Sequence, residues 1–152
     1  MATYKTSNDI KKALEDLSKF RQAIITETGQ AVADICLKVQ ADIQMGMTNT
    51  TVDNSKEYGK RKHHPSIPFA YPAVDYGDLR RSITVEVEEH KNRVDGRVGS
   101  IITNPPYPVY LEYGTSKMPP RPWLKPSVDN NEQFIKQRFD RVLDVSIEDS
   151  FK

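Results

Sequence analysis

The placement of proline is the sequence feature that most limits what this chain can fold into. All ten prolines lie between Pro65 and Pro126, and the rest of the 152-residue chain contains none. Proline lacks a backbone donor and clashes with the preceding turn, so it disrupts the interior of a helix. The two ends can therefore form long helices, whereas the middle must be built mainly from strands, turns and extended segments.

The segment before the first proline has the spacing of one long helix. The side chains of its apolar stripe recur three and four residues apart, at Ile10, Leu14, Leu17, Ile24, Thr28, Ala31, Ile35, Val39 and Ile43. The helix is expected to begin at a cap, Ser7 or Asn8, and to end near Met47. Its length predicts a core face on some turns and a contact between subunits on others. A break near Thr28-Gly29 is the alternative, because glycine weakens a helix by about 1 kcal/mol relative to alanine.

Residues 48–71 are polar and lack regular spacing. Such a composition buries too little apolar surface to order itself, so we expect a mobile loop or arm in the free subunit. Its centre is a basic run, formed by Lys60, Arg61, Lys62, His63 and His64. This run is expected to contact an acidic neighbour or passing DNA, with a merely solvated loop as the alternative. Adjacent histidines seldom bind one ion together, so no metal site is expected.

A short turn and a β-hairpin are predicted next. Asp75 is expected to cap a helical turn that contains Gly77. Apolar and polar residues then alternate over residues 82–88, as in a strand with one buried face. After a turn at Lys91-Asn92, a second strand is expected over about residues 93–101. Two glycines in that strand, Gly96 and Gly99, indicate a bulge or a close backbone approach.

The densest motif lies between Pro106 and Pro126. A sharp turn with a positive φ angle is expected at Gly114, followed by a stiff extended segment through four prolines. Arg121 and Trp123 on that segment are expected to contact a subunit or partner, because preorganised side chains lose little freedom on binding. Burial of Trp123 in the chain's own core is the alternative. The last helix is then expected to begin near Ser127 or Asp129.

Residues 110–126 read YLEYGTSKMPPRPWLKP and resemble the signature of the neck or tail-completion family of long-tailed bacteriophages. In that family an acidic residue, an aromatic, Gly-Thr and a proline-rich stretch with arginine and an aromatic follow in this order. Residues 72–83 are similar to a second family block, which usually has threonine at the position of Tyr76. With the flanking helices, the resemblance spans nearly the whole chain, although residues 48–64 have no counterpart in the family pattern.

The resemblance implies an α+β fold with a long N-terminal helix, a small antiparallel sheet and a C-terminal helix, in one domain over residues 1–152. It also implies a structural virion protein, made in the host cytoplasm, that forms a ring at the head–tail junction, with six subunits expected. The implied partners are further copies, head-completion or connector proteins, and the tail terminator or tube, while genome DNA passes through the lumen. The expected contact residues are Glu112, Tyr113, Gly114, Thr115, Arg121, Trp123, Lys60, Arg61 and Lys62.

Composition and the absence of known motifs argue against several other classes of function. The 22 basic and 21 acidic side chains nearly cancel, and apolar runs are far shorter than the ~20 residues that span a bilayer. A single cysteine, Cys36, does not support a disulfide framework or a zinc site of several thiolates. No phosphate loop or nucleophile elbow occurs, so neither catalysis nor a cofactor is expected. The alternatives are a tail terminator or other minor tail protein, a small DNA-binding protein, and a hydrolytic or metal site assembled from Asp75, Asp78, Glu112 and His63 or His64.

Overall fold

The computed structural model describes residues 7–60 and 62–150, and it is an α+β protein organised along one long helix, as the sequence predicts. Helix α1 spans Ser7–Thr48, and a two-stranded antiparallel sheet packs against it. The remaining elements are α2 (Asp78–Ser82), β1 (Ile83–His90), β2 (Arg93–Ser100), α3 (Tyr107–Tyr113), α4 (Lys125–Asp129) and α5 (Glu132–Ser150).

Helix α1 runs without a break for 42 residues, which is about 63 Å at the standard rise per residue. The alternative of a break at Thr28-Gly29 is therefore wrong. The glycines of α1 instead face close neighbours. A Cβ built on Gly29 would lie 2.5 Å from the Glu89 carboxylate, and one built on Gly46 would lie 2.5 Å from the Tyr71 ring.

Strands β1 and β2 pair in an unbroken register from Ile83–Ser100 to His90–Arg93, around the predicted turn at Lys91-Asn92. No bulge interrupts the pairing. Gly96 instead marks a close approach, because a Cβ there would contact Val32 and would lie 2.7 Å from the Cys36 sulfur on α1. Burial at this contact raises the pKa of the Cys36 thiol, so the cysteine is a protonated packing residue.

The core surrounds the C-terminal part of α1. Its six buried members come from α1, α2, β1 and the proline-rich block: Val39, Ile43, Met47, Leu79, Ile83 and Trp123. Five partly buried side chains surround them, namely Tyr71, Val98, Tyr107, Leu111 and Leu124. Segments far apart in sequence thus enclose one end of the long helix.

The other end of α1 extends beyond the elements that pack on it. Asn131 donates to Asp42 at 2.6 Å and Arg138 pairs with Asp34, so α5 runs antiparallel to α1. Continued at the helical rise, this register places the end of α5 alongside Arg21. Arg21 also donates to the carbonyl of Lys91 at the hairpin turn. Residues 8–19, the overhang, lie beyond both elements, and every side chain in them is exposed.

Candidate functional site

The proline-rich block begins with a helix, although the prolines predicted a middle region that is mainly non-helical. Residues Tyr107–Tyr113 form α3, because Pro108 lies in the first turn, where a missing amide hydrogen does no harm. The helix stops at Gly114, whose φ is +76° and ψ is −178°. This region of backbone space belongs essentially to glycine, and a Cβ there would lie 2.9 Å from the Met118 carbonyl oxygen. The predicted positive φ is confirmed.

A tight turn after Gly114 reverses the chain. The backbone amide of Thr115 donates to the Met118 carbonyl at 2.8 Å, and the amide of Lys117 donates to the Thr115 hydroxyl at 3.3 Å. The returning strand lies against α3, where the amide of Arg121 donates to the Leu111 carbonyl at 2.7 Å. Pro119, Pro120 and Pro122 therefore lie on the segment that runs back along α3. Pro126 lies in α4, so the segment predicted to be extended through four prolines ends before the fourth.

Glu112 closes this reversal. Its Oε2 accepts hydrogen bonds from the amides of Trp123 at 2.7 Å and Leu124 at 2.9 Å, and its Oε1 accepts one from Lys125 at 3.0 Å. A carboxylate at these amides satisfies donors at the start of α4 and complements the positive end of the helix. The Glu112 carboxylate, expected at a subunit contact, thus binds the chain's own backbone.

Trp123 is only 5% exposed, and its indole Nε1 donates to the Pro108 carbonyl at 3.0 Å. The expectation that Trp123 anchors a partner contact is therefore wrong, because the large apolar ring fills this chain's own core. Arg121 is half-buried, and its Nε donates to the Ser66 carbonyl at 3.0 Å, which ties the block to the arm. Tyr113, at 78% exposed, and Thr115 do lie on the surface.

The last helix begins later than expected. Ser127 and Asp129 both lie inside α4, and α5 starts at Glu132. The Ser127 hydroxyl donates to the Trp123 carbonyl at 2.9 Å, and the Asp129 carboxylate accepts from Lys125. Neither side chain is a cap of α5, because both are used within the short helix that precedes it.

The arm folds back on itself as an irregular hairpin. Val52 pairs with Ser66 and Tyr58 pairs with His63. At its tip Gly59 has a φ of +70°, and the basic side chains Lys60 and Lys62 are exposed. Arg61 lies outside the described residues. The mobility expected for the arm stays a prediction.

The expected cap at Asp75 is wrong. Gly77, with a φ of +80°, occupies the N-cap position of α2, and no side chain caps that helix end. Gly77 thus has the turn role expected of it, since its left-handed geometry disfavours other residues. The Asp75 carboxylate instead faces His63 on the arm, with Nδ1 and Oδ1 3.9 Å apart.

The arm, residues 72–80 and the proline-rich block enclose a cleft of about 610 Å³. Met47, Leu79 and Leu111 contribute apolar surface to it. Burial, with a further contribution from the nearby Asp78, raises the pKa of the Tyr107 phenol that also lines the cleft. We call this site the arm cleft.

Of the residues considered for a hydrolytic or metal site, the arm cleft brings together His63, Asp75 and Asp78. Glu112 is bonded to the amides at the start of α4 instead, and the Nδ1 of His64 bonds the Lys56 carbonyl at 2.9 Å. The four groups that such a site would need thus do not converge on one point.

A group that the sequence did not single out lies on the β-hairpin. Glu88, His90 and Asp95 place one ligand atom each within 4.8 Å of one another. Arg97 pairs with Glu88 at 3.2 Å and Arg93 pairs with Asp95 at 3.1 Å. These carboxylates already have cationic partners, so the group is explained as a surface ion-pair network.

No protein-family model, no curated protein and no solved structure matches this chain. The likeness of residues 72–83 and 110–126 to the phage family therefore rests on those motifs alone. Among the described helices, none is both long and apolar enough to cross a membrane.

Proposed function

We propose that this chain is a structural subunit of a tailed-phage virion that completes the tail and connects it to the head. It works by binding copies of itself and neighbouring virion proteins, without catalysis. Following the resemblance, six subunits form a ring whose lumen passes the genome, between the head connector and the tail terminator or tube. The free protein is made in the host cytoplasm and joins the particle on assembly.

The motif that carries the resemblance supports the proposal because its residues determine one local fold. Glu112 binds the start of α4, Gly114 permits the reversal, and Arg121 ties the block to the arm. A motif whose separate positions have interlocking roles is more informative than a string of similar composition. The order of residues in the block is therefore a constraint of the fold.

The overhang is the structural observation that carries the assembly. Ile10, Leu14 and Leu17 are 53%, 62% and 63% exposed, on the stripe that continues from the buried face of α1. The overhang leaves this apolar stripe in water, so binding of a partner that covers the stripe would be stabilised by the removal of apolar surface from water. Contact between the overhang and a different surface of the next copy is heterologous, and such a contact closes into a ring when its rotation permits.

The assembly is tested by charging the overhang. Leu14→Asp is expected to abolish subunit association, because an aspartate on the stripe would be desolvated in the contact. Leu37→Asp is the matched control, since Leu37 is a similarly exposed leucine on the part of α1 that carries the core. Native mass spectrometry at rising protein concentration, with electron microscopy of phage particles made by each variant, measures the effect.

The expected result is normal folding of both variants, with rings and joined particles only for Leu37→Asp. Full assembly by Leu14→Asp would contradict the contact through the overhang. Absence of this protein from mature particles would contradict its proposed role in the virion.

A further inference from the structure

The arm cleft combines an apolar surface with walls that carry charge. Its volume of about 610 Å³ lies within the range of sites that hold a small ligand or a few side chains. Val74 and Leu111 supply accessible apolar surface, and Tyr58, Tyr76 and Tyr107 add aromatic surface. This mixture favours an occupant that has apolar as well as polar groups.

Two of the three carboxylates of the cleft have cationic partners. Asp53 accepts from the Ser55 hydroxyl and pairs with Lys56 at 3.3 Å. Asp78 pairs with Arg81 at 2.6 Å. The third carboxylate, Asp75, faces the His63 ring at 3.9 Å, which is too far for a hydrogen bond.

Three cations of the cleft have no carboxylate partner among the described residues. Arg80 donates to the Thr48 hydroxyl at 3.1 Å, and Arg121 donates to the Ser66 carbonyl, both neutral acceptors. The Lys117 ammonium has neither a carboxylate nor a neutral acceptor as partner in the part of the chain that the structure describes, and only its backbone amide donates, to the Thr115 hydroxyl. The lining of the cleft is therefore complementary to carboxylates.

One buried hydrogen-bond donor also favours a negatively charged occupant. Ser66 lines the cleft and is 1% exposed, and its hydroxyl has no hydrogen-bond partner among residues 7–60 and 62–150. A buried hydroxyl without a hydrogen-bond partner is energetically unfavourable. A carboxylate oxygen is the kind of acceptor that this hydroxyl lacks.

We propose that the arm cleft binds a short acidic peptide segment, with carboxylates at Arg80, Lys117 and Arg121 and an apolar side chain against the lining that includes Val74 and Leu111. The identification of its source as a neighbouring virion protein rests on the proposed function. Peptide binding itself does not, because it follows from the lining of the cleft.

Duplex DNA is also anionic, but it fits the cleft less well. Its closely spaced phosphates would face three aspartates of the cleft, Asp53, Asp75 and Asp78. A phosphate backbone would also make no favourable contact with the apolar surface. A peptide can place its few carboxylates at the cations and keep away from the aspartates. The observations therefore favour a peptide.

The test uses the free, full-length protein and a fluorescein-labelled hexapeptide, Glu-Glu-Tyr-Leu-Glu-Glu, in fluorescence polarisation at low salt. A second hexapeptide has glutamine for every glutamate. We expect saturable binding of the acidic peptide and at least roughly ten-fold weaker binding of the amide version, since close charge pairs add binding energy. Lys117→Glu is expected to weaken the acidic peptide roughly ten-fold.

Lys136→Glu is the matched control, because Lys136 is an exposed lysine on α5 that does not line the cleft. It is expected to leave the affinity within about two-fold, because its side chain makes no contact with an occupant of the cleft. Thermal melting of both variants checks that neither change unfolds the chain.

Equal binding by wild type and Lys117→Glu, equal binding of both peptides, or no binding would overturn the proposal. Preferential binding of a 20-base-pair duplex with the same dependence on Lys117 would overturn it in favour of DNA. Displacement of the peptide by rising concentrations of the protein itself would overturn it in favour of a second copy. None of these results bears on whether the subunit is found in virions, which the electron microscopy tests separately.

Discussion

The two ends of α1 have one apolar spacing and opposite surroundings. Ile43 and Met47 are enclosed by the hairpin, α2 and the proline-rich block, whereas Leu14 and Leu17 lie in solvent. The spacing identifies the apolar face of a helix, but it does not say what covers that face. The partner is supplied by the chain at one end, and in our proposal by another subunit at the other end.

The largest difference is expected from removing an aliphatic side chain at each end. Ile43→Ala should lower the free energy of unfolding by about 3 kcal/mol, because Ile43 is fully buried and its loss leaves a cavity. Leu14→Ala should change it by less than about 0.5 kcal/mol in the monomer. Urea denaturation of dilute protein measures both. Similar losses would mean that the overhang is covered in the free subunit.

Gly29 and Gly46, the two glycines of α1, face close neighbours and allow a second comparison along the helix. Gly46→Ala should destabilise the fold by about 1–2 kcal/mol, because its Cβ would press on the Tyr71 ring, which is packed on the core. The Tyr71 hydroxyl also bonds Ser127 at 2.8 Å, so the ring cannot move away easily. Gly29→Ala should instead stabilise the fold by up to about 1 kcal/mol, because the exposed Glu89 carboxylate can rotate away.

Thermal unfolding of these two variants beside wild type gives the measurement. Destabilisation by both substitutions would show that Glu89 is held as firmly as Tyr71. Stabilisation by both would show that the helix does not pack closely on Tyr71.

The smallest effect concerns acid stability. Burial acts to raise the pKa of Asp42, but hydrogen bonds from Lys38 and Asn131 outweigh it, and the pKa lies below the ordinary 3.8. Because the folded pKa is lower than the unfolded one, ionised Asp42 stabilises the fold above pH 3.8, and this contribution is lost as the pH falls through the folded pKa. Solvent screening limits it to about a few tenths of a kcal/mol.

Melting curves of Asp42→Asn and wild type between neutral pH and about pH 3 test this expectation, with the two curves converging in acid. Asp16→Asn on the overhang is the control, since Asp16 has no hydrogen-bond partner among the residues described. A constant gap between Asp42→Asn and wild type at every pH would contradict the ionic origin of the contribution.

The sequence predicted those parts of the fold that depend on local pattern. The spacing of α1, the alternation in β1 and the turn at Lys91-Asn92 each reflect contacts between near neighbours, and all three are found. Gly114 was predicted for a similar reason, since a reversal after α3 requires a backbone that glycine adopts. The α+β class follows from these elements.

The sequence did not predict contacts made across the chain. The three amides bound by Glu112 lie 11–13 residues further on, and the pairing of Val52 with Ser66 lies within a polar segment without periodicity. Helix α3 was not predicted, because prolines indicate a non-helical region in general, although the first turn of a helix accepts proline. Burial of Trp123 could not be chosen over a partner contact, because composition does not say which surface meets the ring.

Because α1 is unbroken, a small change in its direction at the core displaces the tip of the overhang. Residues 8–19 extend by roughly 18 Å, so a tilt of about 10° where α1 leaves the core would move the tip by roughly 3 Å. A helix without a hinge transmits such a tilt in full. In the proposed ring, a change in the contact between Arg21 and the hairpin turn, where α1 leaves the core, would thus alter the angle at which neighbouring subunits meet and the width of the opening that they surround.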